Sequence, residues 1–351
     1  MSSLYHRLVL AAAVIPLISA CEKKPATVEA AATSEKTVTY TVTTKESMNM
    51  SATAPDEIAR NVIASPATAP VPATPAAATA TKVAPPPLLA APLPEKFRWT
   101  NELAQTEIKR HNPGYLGDGQ AEINERDVVV LSLRGAKVDN LAFLEKMQGV
   151  QALDIGDTAV SDVRPLKGLK LVELYLENTK VQDISAIRGM PLQKLYLSGS
   201  PVRDLGPLDG MPLVELNAVS ILATDLTPLA RCPIQMLWLT GTPVANIAPL
   251  KTVPLISLTL HRTKVKDLSP LTGTALQRLH IAETPVEDLS PLKGLNLTRL
   301  VFTPANIKAG IDVARFLPLQ EIGTRFDDEA KDLKPPAVFW EAFDAAKPPA
   351  K

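Results

Sequence analysis

A chain of 351 residues has room for a domain of ordinary size and a long additional segment. Its 37 lysines and arginines balance 37 aspartates and glutamates without forming a basic block, which argues against nucleic acid as a partner. Two cysteines, Cys21 and Cys232, are too few for a disulfide framework.

Residues 1–20 read as a signal peptide: Arg7 gives a short positive start, and Leu8 to Ile18 supply an apolar run too short to span a bilayer. Leu17-Ile18-Ser19-Ala20 then leads into Cys21 and resembles the lipobox of bacterial lipoproteins. That resemblance implies cleavage before Cys21, acylation of its thiol and amino group (diacylglycerol and palmitate-type chains), and a stable membrane anchor. Glu22 follows, where aspartate typically signals retention in the inner membrane, so the resemblance points to the outer membrane of a bacterial envelope.

Residues 21–97 are dominated by alanine, proline, threonine and valine, densest in proline at Pro66 to Pro72 and Pro85-Pro86-Pro87. Proline fixes backbone angles and removes donors, and no apolar face recurs, so a disordered tether is expected. Residues 98–127 read as an N-terminal cap. A helix from Trp99 to His111, with Leu103 and Ile108 as its apolar face, is stopped by Asn112-Pro113-Gly114 and followed by an extended segment. A first coil with no neighbour on one side requires such a cover.

Residues 128–323 are periodic. Leu153, Leu174, Leu195, Leu216, Leu237, Leu258, Leu279 and Leu300 recur every 21 residues. In the unit Leu192 to Leu208, Leu195 and Leu197 point inward and Lys194 and Tyr196 outward, while Val202, Leu205 and Leu208 return inward. Proline at 165, 207, 228, 249, 270 and 291 restricts the return path to tight turns or brief 3₁₀ pieces. This L-x-x-L-x-L period predicts an α/β leucine-rich-repeat solenoid with a parallel sheet on a concave face and short turns on the convex one. Ala218, Ile221 and Ala223 depart from the pattern, so the coil that carries them is expected to be irregular.

Two stacked rows have chemical side chains without implying chemistry. Asp162, Asp183, Asp204, Asp225, Asp267 and Asp288, with Asn140 and Asn246 in register, sit just before turns, where a side-chain oxygen meets free amides. Thr158, Thr179, Thr242, Thr263 and Thr284, with Ser200, suit hydroxyls that satisfy backbone groups as strands end. Cys232 shares its slot with Leu169, Met190, Met211, Val253 and Leu295 and reads as packing.

The chain continues with a short helix from Asn306 to Leu317, a strand over Leu319 to Ile322, and an aromatic turn, Phe339-Trp340-Glu341-Ala342-Phe343, expected to plug the last coil. Residues 324–351 form the expected C-terminal cap and tail.

L-x-x-L-x-L followed by T-x-V-x-D-L-S-P-L, seen whole at Leu255 to Leu271, resembles the internalin type among bacterial surface leucine-rich repeats. The flanks Glu107 to Gly114 and Phe339 to Asp344 look like segments bordering repeat blocks in planctomycete-type proteins, some of which carry kinase domains. A glycine-rich phosphate loop, an H-R-D loop and a D-F-G triplet are missing, and neither an enzyme, a metal site nor a cofactor is expected.

Function then falls to outward strand positions. One row reads Tyr175, Tyr196, Asn217, Trp238, Thr259, His280; its neighbour reads Glu173, Lys194, Glu215, Met236, Ser257, Arg278, Arg299. Large amphipathic rings edged by both charge signs form a recognition surface, and we single out Glu173, Tyr175, Lys194, Tyr196, Trp238, His261, Arg278, His280 and Arg299 as ligand contacts. The expected reading is a monomeric, lipid-anchored binding module for a protein or glycan. Its competitor is a structural envelope spacer with no selective ligand.

Overall fold

The computed structural model describes residues 98–124, 127–325 and 332–346. The expected signal peptide, Cys21 and the tether lie outside the described residues. Helix α1 (Asn101–His111) comes first, capped by the Thr100 hydroxyl, which accepts from the Leu103 amide at 3.2 Å. Ala104 and Ile108 are buried one above the other, whereas Leu103 is 43% exposed. The expected Leu103 face is therefore corrected: residues five apart do not share a helix face, and those four apart do.

Strands β1 (Gln120–Ile123) and β2 (Val128–Ser132) pair antiparallel. From β2 onward every pairing is parallel and joins neighbours in sequence. The strands are β3 (Ala152–Asp154), β4 (Glu173–Tyr175), β5 (Lys194–Tyr196), β6 (Glu215–Asn217), β7 (Met236–Trp238), β8 (Ser257–Thr259), β9 (Arg278–His280), β10 (Arg299–Val301) and β11 (Glu321–Gly323). Leu153, Leu174, Leu195, Leu216, Leu237, Leu258, Leu279 and Leu300 stand opposite one another in this ladder, fully or almost fully buried. Short 3₁₀ turns, such as Gly206–Leu208 and Ser290–Leu292, occupy the return path. This is a leucine-rich-repeat solenoid.

Each coil depends on its neighbour because the core side chains and the ladder hydrogen bonds are shared between coils. The aspartate row serves those turns. Asp204 Oδ1 accepts the Gly206 amide at 2.7 Å and Asp288 Oδ1 the Ser290 amide at 2.8 Å, with Asn246 doing the same for Ala248 at 2.9 Å. These residues lie one position ahead of the helical cap, so the bond is a side-chain turn two residues long rather than an N-cap. Thr242 and Thr263 donate to the carbonyls of Leu239 and Leu260 at 2.8 and 2.7 Å. Cys232 is buried, its thiol donating to the Leu208 carbonyl at 3.2 Å, and burial pushes its pKa up.

The departures at Ala218, Ile221 and Ala223 do not disturb the backbone, contrary to expectation. β6 keeps register with both neighbours, and all three side chains are buried. Ile221 fills with hydrocarbon the slot that holds a hydroxyl in Ser200 and Thr242, beside two alanines that are smaller than the Leu239 and Val244 of the next coil. Ile221 offsets only part of the hydrocarbon that the two alanines remove, so this coil carries less apolar volume than the next while its strand keeps register.

A row of left-handed residues was not evident beforehand. Gly135, Asp157, Asn178, Gly199, Ser220, Gly241, Arg262 and Glu283 all have φ between 53° and 72° and turn the chain out of each strand.

At the far end the expected helix over Asn306 to Leu317 is shorter. A 3₁₀ turn spans Pro304–Asn306, and α2 covers only Ile311–Phe316. Gly310, at φ 75°, explains the break: a Cβ there would lie 2.3 Å from the Ser290 nitrogen, so the chain must pass against the preceding coil without a side chain. The aromatic segment is a full helix, α3 (Pro336–Ala345), rather than a turn. Phe339 and Trp340 are buried, with the Phe339 ring 6.0 Å from Phe302 of the last full coil.

Candidate functional site

Each short strand presents two side chains on the open face, one on either side of the inward leucine. At β4 to β7 this places Glu173, Lys194, Glu215 and Met236 in one row and Tyr175, Tyr196, Asn217 and Trp238 in the other. All eight are partly exposed. The sheet needs no rings there, yet the Tyr175 and Tyr196 centroids are 4.9 Å apart and those of Tyr196 and Trp238 are 6.4 Å apart. Since Asn217 lies between Tyr196 and Trp238 in register, the two rings lean towards each other across a strand. Asn217 itself is held by the Ser198 hydroxyl, which donates to its Oδ1 at 2.6 Å.

The phenols are fixed by carboxylates. Tyr175 donates to Glu173 Oε2 at 2.8 Å, and Tyr196 donates across the ladder to Glu215 Oε2 at 3.0 Å. Burial raises both phenol pKa values, and the adjacent carboxylates raise them further, so both hydroxyls stay protonated as donors. Lys194 Nζ lies 3.1 Å from Glu173 Oε1. Further along the same edge, Arg134 Nε meets Asp154 Oδ2 at 2.9 Å and Nη1 meets Asp157 Oδ2 at 3.1 Å, while its second terminal nitrogen contacts Glu177.

Five of the expected contact residues are thus brought together: Glu173, Tyr175, Lys194, Tyr196 and Trp238. Glu215 and Asn217 belong with them and had not been singled out. The other four separate from this group. Arg278, His280 and Arg299 sit on β9 and β10, and Thr259, 3% exposed, stands between Trp238 and His280 in the row. Arg299 Nε binds Glu321 Oε2 at 2.6 Å.

His261 is corrected: it is 4% exposed, and its Nδ1 lies 2.9 Å from the Ala282 carbonyl oxygen of the next coil. Alternation would send it outward, but the chain already bends at left-handed Arg262, which folds the imidazole into the stack. In the Asp row the Oδ1 atoms accept backbone amides of the turns that follow.

His280 carries a pH signature. Burial, then Arg299 and Arg278, hold its pKa down to about 4, against 6.5 for an ordinary imidazole. As pH falls through this interval the unfolded chain takes up a proton that the folded chain resists. Stability present above about pH 6.5 is therefore lost progressively towards pH 4. The melting temperature should fall less between pH 7 and pH 4.5 for His280→Gln than for the parent chain. Equal falls would contradict this assignment.

No family model and no curated protein matches the sequence. Among solved structures the chain is similar to internalin C2 of Listeria monocytogenes, at 26% identity and a TM-score of 0.49, covering 57% of this chain and 92% of that one. It is also similar to internalin inlF of the same organism, at 24% identity and a TM-score of 0.49, over 63% and 74% of the two chains. The leucine-rich-repeat ectodomain of the Arabidopsis receptor kinase HAESA, solved in complex with an extended IDA peptide hormone ligand, is similar at 13% identity and a TM-score of 0.45, over 62% and 48%. No helix among the described residues is long and apolar enough to cross a membrane.

Proposed function

We propose that this chain is a binding module of a bacterial envelope, lipid-anchored in the outer membrane, which presents the β4 to β7 sheet face to a protein or glycan partner. The observation that carries the reading is the contacting run Tyr175, Tyr196 and Trp238 on a face whose ladder is complete without it. Rings already held by neighbours lose little freedom on binding, which is why such residues dominate recognition surfaces. Arg278, His280 and Arg299 extend the same face, and Cys21, through its acyl chains, supplies the anchor.

Affinity capture with the full chain from envelope extracts, joined to protein and glycan arrays, tests the module. A saturable partner should lose about tenfold or more in affinity with Trp238→Ala and with Tyr196→Ala while the melting temperature is kept. Capture that survives both substitutions, or no partner in any format, favours a spacer. For the anchor, Cys21→Ser should move the chain from the membrane fraction to the soluble one and abolish incorporation of a labelled fatty acid.

A further inference from the structure

The charge around the aromatic run has a definite sign. Asp154, Asp157, Glu173, Glu177 and Glu215 line β3 to β6 and the turns that follow, against two cations, Arg134 and Lys194. Arg134 serves Asp154, Asp157 and Glu177, and Lys194 serves Glu173. Glu215 forms no ion pair among the described residues. Among the described residues its carboxylate accepts from the Tyr196 hydroxyl alone, beside the two rings that lean together over Asn217. The surface therefore combines π faces, which attract cations, with three negative charges in excess of the positive ones.

We propose that the Tyr196, Asn217 and Trp238 surface, with Glu215 at its edge, receives an arginine or lysine side chain from a basic segment of a protein partner. This rests on the reading of the sheet face as a recognition surface and commits it to a cationic protein ligand rather than a glycan. Three features fit this occupant. The ring faces meet the cation, Glu215 supplies a carboxylate to which a planar guanidinium can donate, and Lys194, drawn towards Glu173, leaves Glu215 without a cation of its own. A neutral sugar would stack on the rings and donate hydroxyls to Glu215, but it would leave the charge of that carboxylate unpaired, whereas a guanidinium both donates and neutralises it.

The probes are N-acetyl-arginine amide, N-acetyl-citrulline amide, which has the same shape without the charge, and a neutral chito-oligosaccharide. Each is titrated into the full chain while the Trp238 indole N–H resonance is followed. The resonance should shift with the arginine amide and not with the citrulline or sugar probes. Affinity should fall about tenfold in Glu215→Gln, which still accepts the Tyr196 hydroxyl and leaves the melting temperature unchanged, and should fall again as salt is raised. Equal shifts with arginine and citrulline, a response to the sugar alone, or no response to arginine overturns the proposal. Affinity capture tells this failure from failure of the wider reading. A partner lost on Trp238→Ala but kept on Glu215→Gln leaves the sheet as the binding face and removes the cation.

Discussion

Leu216→Ala is expected to destabilise the chain by about 3–5 kcal/mol and to lower its melting temperature on the order of 10 °C. Leu216 is fully buried on β6, in register with Leu195 before it and Leu237 after it. Its own coil is the one in which Ala218 and Ala223 replace larger side chains, so little hydrocarbon nearby can move into the space vacated. Position adds to the effect. Each coil is held only by its neighbours, and a weak coil in the middle uncouples the array on either side. Amide exchange should then lose protection first at Leu197 and Ala218, whose N–H groups bond the carbonyls of Asn217 and Trp238. A loss below about 1 kcal/mol in chemical denaturation would mean that the coil collapses around the truncation.

The fold was legible because one period carries it. A leucine every 21 residues defines an inward position in each strand, and proline on the return path forbids a longer helix there. The left-handed row stayed hidden for an equally physical reason. Glycine, asparagine and aspartate advertise a positive φ, but serine, arginine and glutamate occupy the same slot at 220, 262 and 283. Stacking enforces the turn once the neighbouring coils have it. Arg262 and Glu283 also face each other across coils, with Nε 2.7 Å from Oε2, an exposed contact that sequence spacing alone would not single out.

The candidate site was half legible. Period-two alternation placed Tyr175, Tyr196 and Trp238 on the open face, where they are found. It could not reveal that Tyr196 and Trp238 reach across a strand, since that depends on the small residue between them, nor that Tyr196 is tied to Glu215 on another strand. The alternation also failed where strands end. With three-residue strands the rule expires at Thr259, and His261 is governed by the turn that follows. Asn112 offers a parallel at the other end of the array. Read as a helix stop, it is also a buried tie, its Oδ1 accepting from the amides of Asp139 and Asn140, both at 3.0 Å, and its Nδ2 donating to the Asn140 carbonyl at 2.8 Å.

Phe339→Ala should have an effect of similar size to Leu216→Ala, about 3–5 kcal/mol, but from the end of the array rather than its middle. The ring sits at the centre of a cluster, 6.0 Å from Phe302, edge-on to Trp340 at 4.9 Å and stacked with Phe343 at 6.2 Å. Arg315 of α2 lies over Trp340 at 4.5 Å and pairs with Asp344, so α3 is also joined to the last turn of the solenoid by charge. Just before α3, Lys334 exchanges two backbone hydrogen bonds with Ile322, at 2.9 and 3.0 Å, and so occupies donor and acceptor groups on the terminal strand edge. Without the Phe339 ring, α3 loses its hold, and Phe302 and Ile322, both fully buried, come within reach of water. Unfolding should then start at β11 and move inward, with amide exchange accelerating at Ile322 before Leu258. Phe316→Ala is the matched control, because that ring is 89% exposed and its removal should change stability by about 0.5 kcal/mol or less. Equal effects of the two substitutions would mean that α3 does not hold the end of the stack.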